Sequence, residues 1–164
     1  MKRTVFSVLT AVSLGLWMGG LVILFMAVSS LFQTFDRSTA GLGATGIFKL
    51  AEIYQLILAP VAIIATFLSV HRGLAKTLAI VLLVLATMAA CVIAIGISPR
   101  IDAMRIAKTT DTETFRRLHG AAMATYLLVT TLVTAALVSV TVSWRAETSA
   151  KVLPGRGFPA EPAG

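Results

Sequence analysis

Four long apolar stretches, separated by short polar segments, dominate the pattern along the chain. They lie near residues 5–31, 47–70, 77–98 and 118–144. A helix needs about 20 apolar residues to cross a hydrocarbon core of about 30 Å, and each stretch reaches that length. The pattern therefore predicts an all-α membrane protein, an antiparallel four-helix transmembrane bundle over residues 1–145. A polar tail rich in Pro and Gly follows at 146–164.

The composition also favours a membrane protein. Of the 164 residues, 57% are hydrophobic and 13% are charged, an apolar excess that a soluble core of this size could not bury. The formal net charge of +7 is expected to meet lipid headgroups rather than nucleic acid. The single cysteine, Cys91, excludes an internal disulfide. The first stretch follows Lys2 and Arg3 as a signal core would, but it is too long for one and is predicted to be an uncleaved helix.

Small and polar residues recur at helical spacing within the apolar stretches, which predicts packed helix faces. In the second helix this seam consists of Glu52, Gln55, Ala59, Ala62, Thr66 and Ser69. In the fourth helix a similar stripe runs through Arg116, His119, Met123, Tyr126, Thr130, Thr134 and Thr141. Gly15 and Gly19 form a GxxxG motif in the first helix, which is by itself weak evidence for a dimer face.

The segment between the third and fourth helices carries two local signals. Ile101, Met104 and Ala107 predict a short amphipathic turn that lies at the membrane interface. Thr110 and Glu113 have the spacing of a capping box, which would start the fourth helix before it reaches the hydrocarbon.

The basic residues are shared between both ends of the predicted bundle, so their distribution alone does not fix the orientation. Lys2 and Arg3 precede the first helix, and Trp144 and Arg145 close the fourth as interfacial anchors do. This favours a multi-pass protein of the bacterial inner membrane with both termini in the cytoplasm.

Several short motifs resemble the transmembrane protein 205-like family, four-helix membrane proteins defined as a domain of unknown function. They are LWMGGLV at 16–22, AG at 40–41 with Phe48 downstream, SPRID at 98–102 and FRRLHG at 115–120. The resemblance covers about residues 5 to 145 and implies a four-helix fold but no reaction. The positions that fall on the family's pattern are Trp17, Gly19, Gly41, Pro99, Phe115, Leu118, His119 and Gly120.

Candidates for metal or haem ligation are few. The two histidines, His71 and His119, are predicted at opposite ends of the bundle, about 30 Å apart, which disfavours an intrachain bis-histidine haem. Met88, Cys91, His119 and Met123 could meet in one half of the membrane and are weak candidates for a copper site. The favoured interpretation is that Met and Cys here are ordinary gap-filling core residues, since no HxxM or CxxC spacing recurs. No cofactor and no metal is predicted.

Glu52 is the main candidate for polar function, because a carboxylate in a spanning helix is costly unless it is paired or hydrated. One interpretation is a salt bridge to Lys49, Arg116 or His119 that fixes two helices in register. The other is a polar pocket formed with Gln55, His119 and Tyr126 that holds a proton, a cation or a quinone-like headgroup.

The function predicted from these features is that of a non-catalytic accessory subunit in a larger bacterial membrane complex, respiratory or photosynthetic. The sequence pattern lacks a Ser/His/Asp set, a phosphate loop and paired catalytic carboxylates. The expected partners are membrane lipids and other membrane subunits, with no nucleic acid. Two alternatives are open: a small transporter or ion-handling protein that uses a pocket at Glu52 and His119, and a metal-binding membrane redox protein. Arg116 and Arg117 are expected to anchor the fourth helix at the lipid headgroups.

Overall fold

The computed structural model describes residues 2–69 and 73–152, and it is helical through nearly all of them. The elements in chain order are α1 (Lys2–Thr34), α2 (Arg37–Leu68), α3 (Leu74–Cys91), a π-helix (Val92–Ile97), α4 (Ser98–Ile106) and α5 (Glu113–Val152). Those two ranges contain no strand. His71 and residues 153–164 of the predicted tail lie outside the described residues.

Four helical segments of the described chain are long and apolar enough to cross a membrane. They are Val5–Thr34, Arg37–Leu68, Leu74–Ile106 and Glu113–Val142. The third of these spans joins α3, the π-helix and α4 into one continuous segment. The structure thus confirms the predicted fold class, an all-α chain with four potential membrane spans.

The second helix begins earlier than the apolar pattern predicted, at Arg37 instead of near 47. Asp36 explains this start, because its side chain accepts hydrogen bonds from the backbone N–H groups of Ser38 and Thr39 at 3.0 and 3.2 Å. A cap of this kind satisfies N–H groups that have no acceptor within the helix. The segment that was predicted as a loop is therefore the first part of α2.

The π-helix connects α3 to α4 without breaking the span. In its wider turn the N–H of Ser98 bonds to the carbonyl of Ile93, five residues back. Pro99 follows directly and has no N–H, and its ring crowds the preceding turn. A widened turn at this point accommodates it. The segment predicted as a short amphipathic turn is the helix α4, which follows the third helix without a break and buries Ile101. Its position at the membrane interface stays a prediction.

The fourth helix extends beyond its apolar stretch at both ends, and it begins before that stretch as the capping signal predicted. α5 starts at Glu113, and its cap is Thr112 rather than the predicted Thr110, because Thr112 Oγ1 accepts a hydrogen bond from the N–H of Phe115 at 3.3 Å. The helix continues through Val152, so the first residues of the predicted polar tail are helical.

The core lies between two helix pairs, α1 with α2 and α3 with α5. The predicted seam of α2 is correct, since all six of its residues are buried. In the predicted stripe of α5, Tyr126 is fully buried, Met123 packs against the core and Thr134 contacts α1, whereas the other positions lie outside the buried line. The buried line of this helix runs instead through Ala122, Tyr126, Val129, Val133, Ala136 and Val140. Hydroxyls at Thr130 and Thr141 bond to carbonyls of their own helix, so these threonines do not require a protein-facing position. The Thr134 hydroxyl bonds to its own helix as well, but it also lies 3.2 Å from Sδ of Met18 on α1.

The closest glycine approach between α1 and α2 occurs at Gly20. A Cβ atom added there would lie 2.5 Å from Cε1 of Tyr54, so the backbone of α1 rests directly on this ring. Gly15 and Gly19, the predicted GxxxG pair, have no atom within 4 Å of an added Cβ. Their face of α1 is therefore not packed against the described residues.

Candidate functional site

Glu52 is the centre of a hydrogen-bonded cluster formed by three helices. It lies on α2 with 8% of its surface exposed. Its Oε1 accepts a hydrogen bond from the hydroxyl of Ser98, at the start of α4, and another from the hydroxyl of Tyr126 on α5 at 3.2 Å. Tyr126 packs against Phe48, with ring centroids 5.2 Å apart. Both hydroxyls bond to Oε1. The second oxygen, Oε2, accepts no hydrogen bond from the described residues.

No ion pair involving Glu52 is formed by the residues that the structure describes. The predicted partners Lys49, Arg116 and His119 all have exposed positions on their helices, outside the buried faces that bring α2 and α5 together. Elsewhere on α5, Arg117 and Glu113 form an exposed ion pair at 2.5 Å. The carboxylate of Glu52 is thus held by hydroxyl groups and not by a salt bridge.

A cavity of about 150 Å³ lies beside Glu52. Its buried end is formed by Glu52, Ala122 and Tyr126, and its exposed end includes Lys49 and His119. The cavity therefore connects a nearly buried carboxylate with a mouth that carries basic side chains. The predicted pocket residues Glu52, His119 and Tyr126 meet here, whereas Gln55 and Arg116 do not line it.

Two further charged residues line the cavity from α4, namely Asp102 and Arg105. Arg105 Nη1 donates a hydrogen bond to the carbonyl of Gly41 at 3.1 Å, which ties α4 to the early part of α2. His119 stacks on Phe115, with ring centroids 6.1 Å apart and planes 3° from parallel. These contacts fix two of the basic groups near the mouth.

Gln55 belongs to a separate contact between α1 and α2. Its Oε1 accepts a hydrogen bond from the indole N–H of Trp17 at 3.4 Å, and both side chains are buried. Next to it on α2, the hydroxyl of Tyr54 donates to the carbonyl of Leu16 at 2.7 Å. These bonds satisfy polar groups of both helices and hold the two helices in register.

The candidate metal ligands are not brought into one site. Met123 and His119 line the cavity, but Met88 and Cys91 do not. Met88 is 60% exposed on α3. Among the described residues, no group of three or more His, Cys, Asp or Glu side chains is placed to hold a metal ion.

Sequence reasoning missed Ser98, Asp102 and Arg105 as members of this site. Their spacing of four and three residues puts them on one helix face, a signal that was available in the sequence. The segment was predicted to lie at the interface as a separate turn, and so this face was not connected with Glu52.

The family-pattern positions have varied structural roles. Trp17 is buried, Gly41 provides the carbonyl for Arg105, and Pro99 follows the π-helix. Phe115 and His119 stack on each other. Leu118 is half-buried, while Gly19 and Gly120 have no atom within 4 Å of an added Cβ.

Residues 12–110 match a family model described as Domain of unknown function (DUF4149). The chain belongs to this family. The match covers Glu52, Ser98 and Arg105 but ends before α5, which supplies Tyr126 and His119 to the site. A search of curated proteins and a search of solved structures each found no significant match. With four helices apolar enough to span a bilayer, the family assignment is consistent with an integral membrane protein of unknown function.

Proposed function

We propose that this DUF4149 protein is a membrane protein that binds a small polar or charged group in the cavity beside Glu52. The observation that carries the proposal is a nearly buried carboxylate on a spanning helix with two hydroxyl donors and no ion pair among the described residues. This corresponds to the ion-handling alternative drawn from the sequence.

The energetic argument concerns the charge of Glu52. Removing a carboxylate from water costs several kcal/mol, and hydroxyl donors alone compensate only part of that cost. Water, a proton or a cationic group in the adjoining cavity would supply the remainder. The volume of about 150 Å³ is well above the roughly 10–15 Å³ that a single water requires, so there is room for such an occupant.

The polar cavity adjoins an apolar layer of the core, which favours a binding site over an open channel. Beyond Tyr126 the core is mainly aliphatic, with Leu14, Leu83, Val129 and Val133 fully buried. The buried Gln55 and Thr66 of α2 are already hydrogen-bonded within the protein. An ion would have to lose its hydration to pass through this layer. Binding and release are therefore expected from one side of the membrane.

The test is accessibility of Ala122, which lines the cavity on α5 and is 4% exposed. In a Cys91→Ser background, Ala122→Cys should react with a small, water-soluble, positively charged thiol reagent. The matched control is Ala136→Cys, at a position of the apolar core on the same helix, and it should stay unmodified. Equal and negligible labelling at both positions would contradict a water-accessible cavity.

We also propose the accessory-subunit function as a second candidate, supported by the open face of α1. Gly15 and Gly19 leave space where another helix backbone could approach closely. In this proposal the chain is part of a larger complex in the bacterial inner membrane, with both termini in the cytoplasm. The resemblance to the transmembrane protein 205-like family is also part of the proposal. Purification in mild detergent with mass spectrometry tests it: partners should be retained by the native chain and lost when both glycines are replaced by Leu.

A further inference from the structure

We infer that the occupant of the Glu52 cavity is the headgroup of an aminophospholipid of the ethanolamine type, with its ammonium at Glu52 and its phosphate at the basic mouth. The inference rests on the proposed binding function and adds the chemical class of the ligand. It is carried by the charged groups that line one cavity, namely the nearly buried acid Glu52, the exposed Lys49 and the half-buried Arg105 and Asp102.

The buried end of the cavity suits a primary ammonium group. Oε1 of Glu52 is already occupied by the hydroxyls of Ser98 and Tyr126, whereas Oε2 accepts no hydrogen bond from the described residues. An ammonium group carries three N–H donors and a positive charge, so it would both bond to this oxygen and neutralise the carboxylate.

The mouth of the cavity suits a phosphate group. Lys49 is exposed and lies three residues before Glu52 on α2, a rise of about 4.5 Å along a helix. Arg105 uses one nitrogen on Gly41 and keeps other donors of its guanidinium for a second acceptor. A lysine side chain can extend along its helix toward the headgroup region of a bilayer. Phosphate is a common partner of both side-chain types.

Two other headgroup classes fit less well. An anionic headgroup without an amine would meet two carboxylates, because Asp102 lines the cavity as well as Glu52. A choline headgroup has three methyl groups in place of N–H donors, so it cannot satisfy Oε2. The volume of about 150 Å³ is also below the roughly 300–1,000 Å³ of typical drug-sized pockets, which favours a headgroup over a larger molecule.

The experiment measures lipid occupancy of the full-length protein by native mass spectrometry with added phosphatidylethanolamine, phosphatidylcholine or phosphatidylglycerol. The ethanolamine lipid should bind roughly tenfold more tightly than the choline lipid, the effect of about one charge-assisted hydrogen bond. Glu52→Gln should reduce this preference to near unity. Glu113→Gln removes the same charge at an exposed ion pair and should leave it unchanged.

Lys49→Gln provides a second variant that does not touch the buried cluster. The variant should weaken binding of the ethanolamine and choline lipids by a similar factor. The ratio of the two affinities should be preserved, because the lysine acts only on the phosphate that both lipids share. Equal binding of the two lipids by the native chain would overturn the inference, as would preferred binding of the glycerol lipid.

Labelling of Ala122→Cys separates failure of this inference from failure of the proposed function. In lipid nanodiscs the ethanolamine lipid should slow labelling relative to the choline lipid. If Ala122→Cys reacts equally fast in both lipids, the cavity exists but the lipid assignment is wrong. If soluble phosphoethanolamine protects the site in choline-lipid nanodiscs as well as the lipid does, the ligand is a water-soluble molecule and the lipid assignment is likewise wrong.

Discussion

The hydrogen bond between Tyr126 and Glu52 gives the sharpest test of the site, because it depends on the charge of the carboxylate. Tyr126→Phe removes only the hydroxyl and keeps the ring that packs against Phe48. The change leaves Glu52 with one hydroxyl donor, that of Ser98. The protein should therefore lose stability without losing its core packing.

The expected magnitude follows from the geometry of this bond. Hydrogen bonds to charged groups contribute about 1.5–3 kcal/mol, and neutral ones about 1 kcal/mol. The oxygen atoms of Tyr126 and Glu52 are 3.2 Å apart, longer than the usual O–H···O distance of about 2.7–2.8 Å. We therefore expect Tyr126→Phe to cost about 1.5 kcal/mol of the free energy of unfolding.

A double-mutant cycle with Glu52→Gln isolates the effect of charge. In that background the tyrosine bonds to a neutral amide oxygen, so Tyr126→Phe should cost about 0.5–1 kcal/mol less than in the native chain. Tyr54→Phe is the matched control, because its hydroxyl bonds to the carbonyl of Leu16, away from the carboxylate. Its cost should be the same in both backgrounds.

The assay is reversible unfolding in mixed detergent micelles, followed by the fluorescence of the buried Trp17. Each variant gives a free energy of unfolding under identical micelle composition. If Tyr126→Phe costs the same in the native chain and in the Glu52→Gln background, the carboxylate does not accept this bond as an anion. That result would refute the argument that an uncompensated charge requires an occupant in the cavity.

Three other predictions concern the frame that holds the site. Gly20→Ala should lower the free energy of unfolding by about 1–3 kcal/mol through overpacking against the facing ring of α2, whereas Gly19→Ala should be nearly neutral in the same micelle assay. Deleting Ile95 removes the extra residue of the wider turn and should convert the π-helix to an α-helix without turning α4, so Ser98 stays at the carboxylate and the aminophospholipid preference is kept. The pKa of Asp36 is lowered from 3.8 to about 2 by hydrogen bonds from the side chain and backbone N–H of Thr39, and by those from Ser38. Its capping contribution should be complete above pH 3.8 and disappear as the pH falls through about 2, measured by amide hydrogen exchange at the start of α2.

The fold was predictable from sequence to the extent that it depends on hydropathy and on small residues at helical spacing. The α2 seam was identified correctly because Ala59 and Ala62 allow close approach while Glu52 and Gln55 have no favourable position facing lipid. The predicted α5 stripe is wrong at positions such as Thr141, which is exposed. A threonine hydroxyl can bond to a carbonyl of its own helix, and so its position does not report which face is buried.

The candidate site was predictable only in part, since its members come together through a change of helical register. Glu52 and Tyr126 were named from their own helices. Ser98 and Arg105 reach the site because the π-helix turns α4 toward α2, and one extra residue in a turn shifts every following side chain by about 100°. Pro99 is the local signal for such a turn, but it fixes neither its width nor its direction.

The two interpretations of Glu52 that the sequence left open, a device for helix pairing and a binding pocket, are compatible at the level of single atoms. Oε1 joins α2 to α4 and α5 through Ser98 and Tyr126, which is a structural role. Oε2 accepts no bond from the described residues, and Glu52 lines the cavity. A carboxylate needed only for register could be replaced by an amide with little change, because Gln offers the same acceptor to both hydroxyls. An amide cannot supply the negative charge beside the cavity. That charge would stabilise a bound cationic ligand.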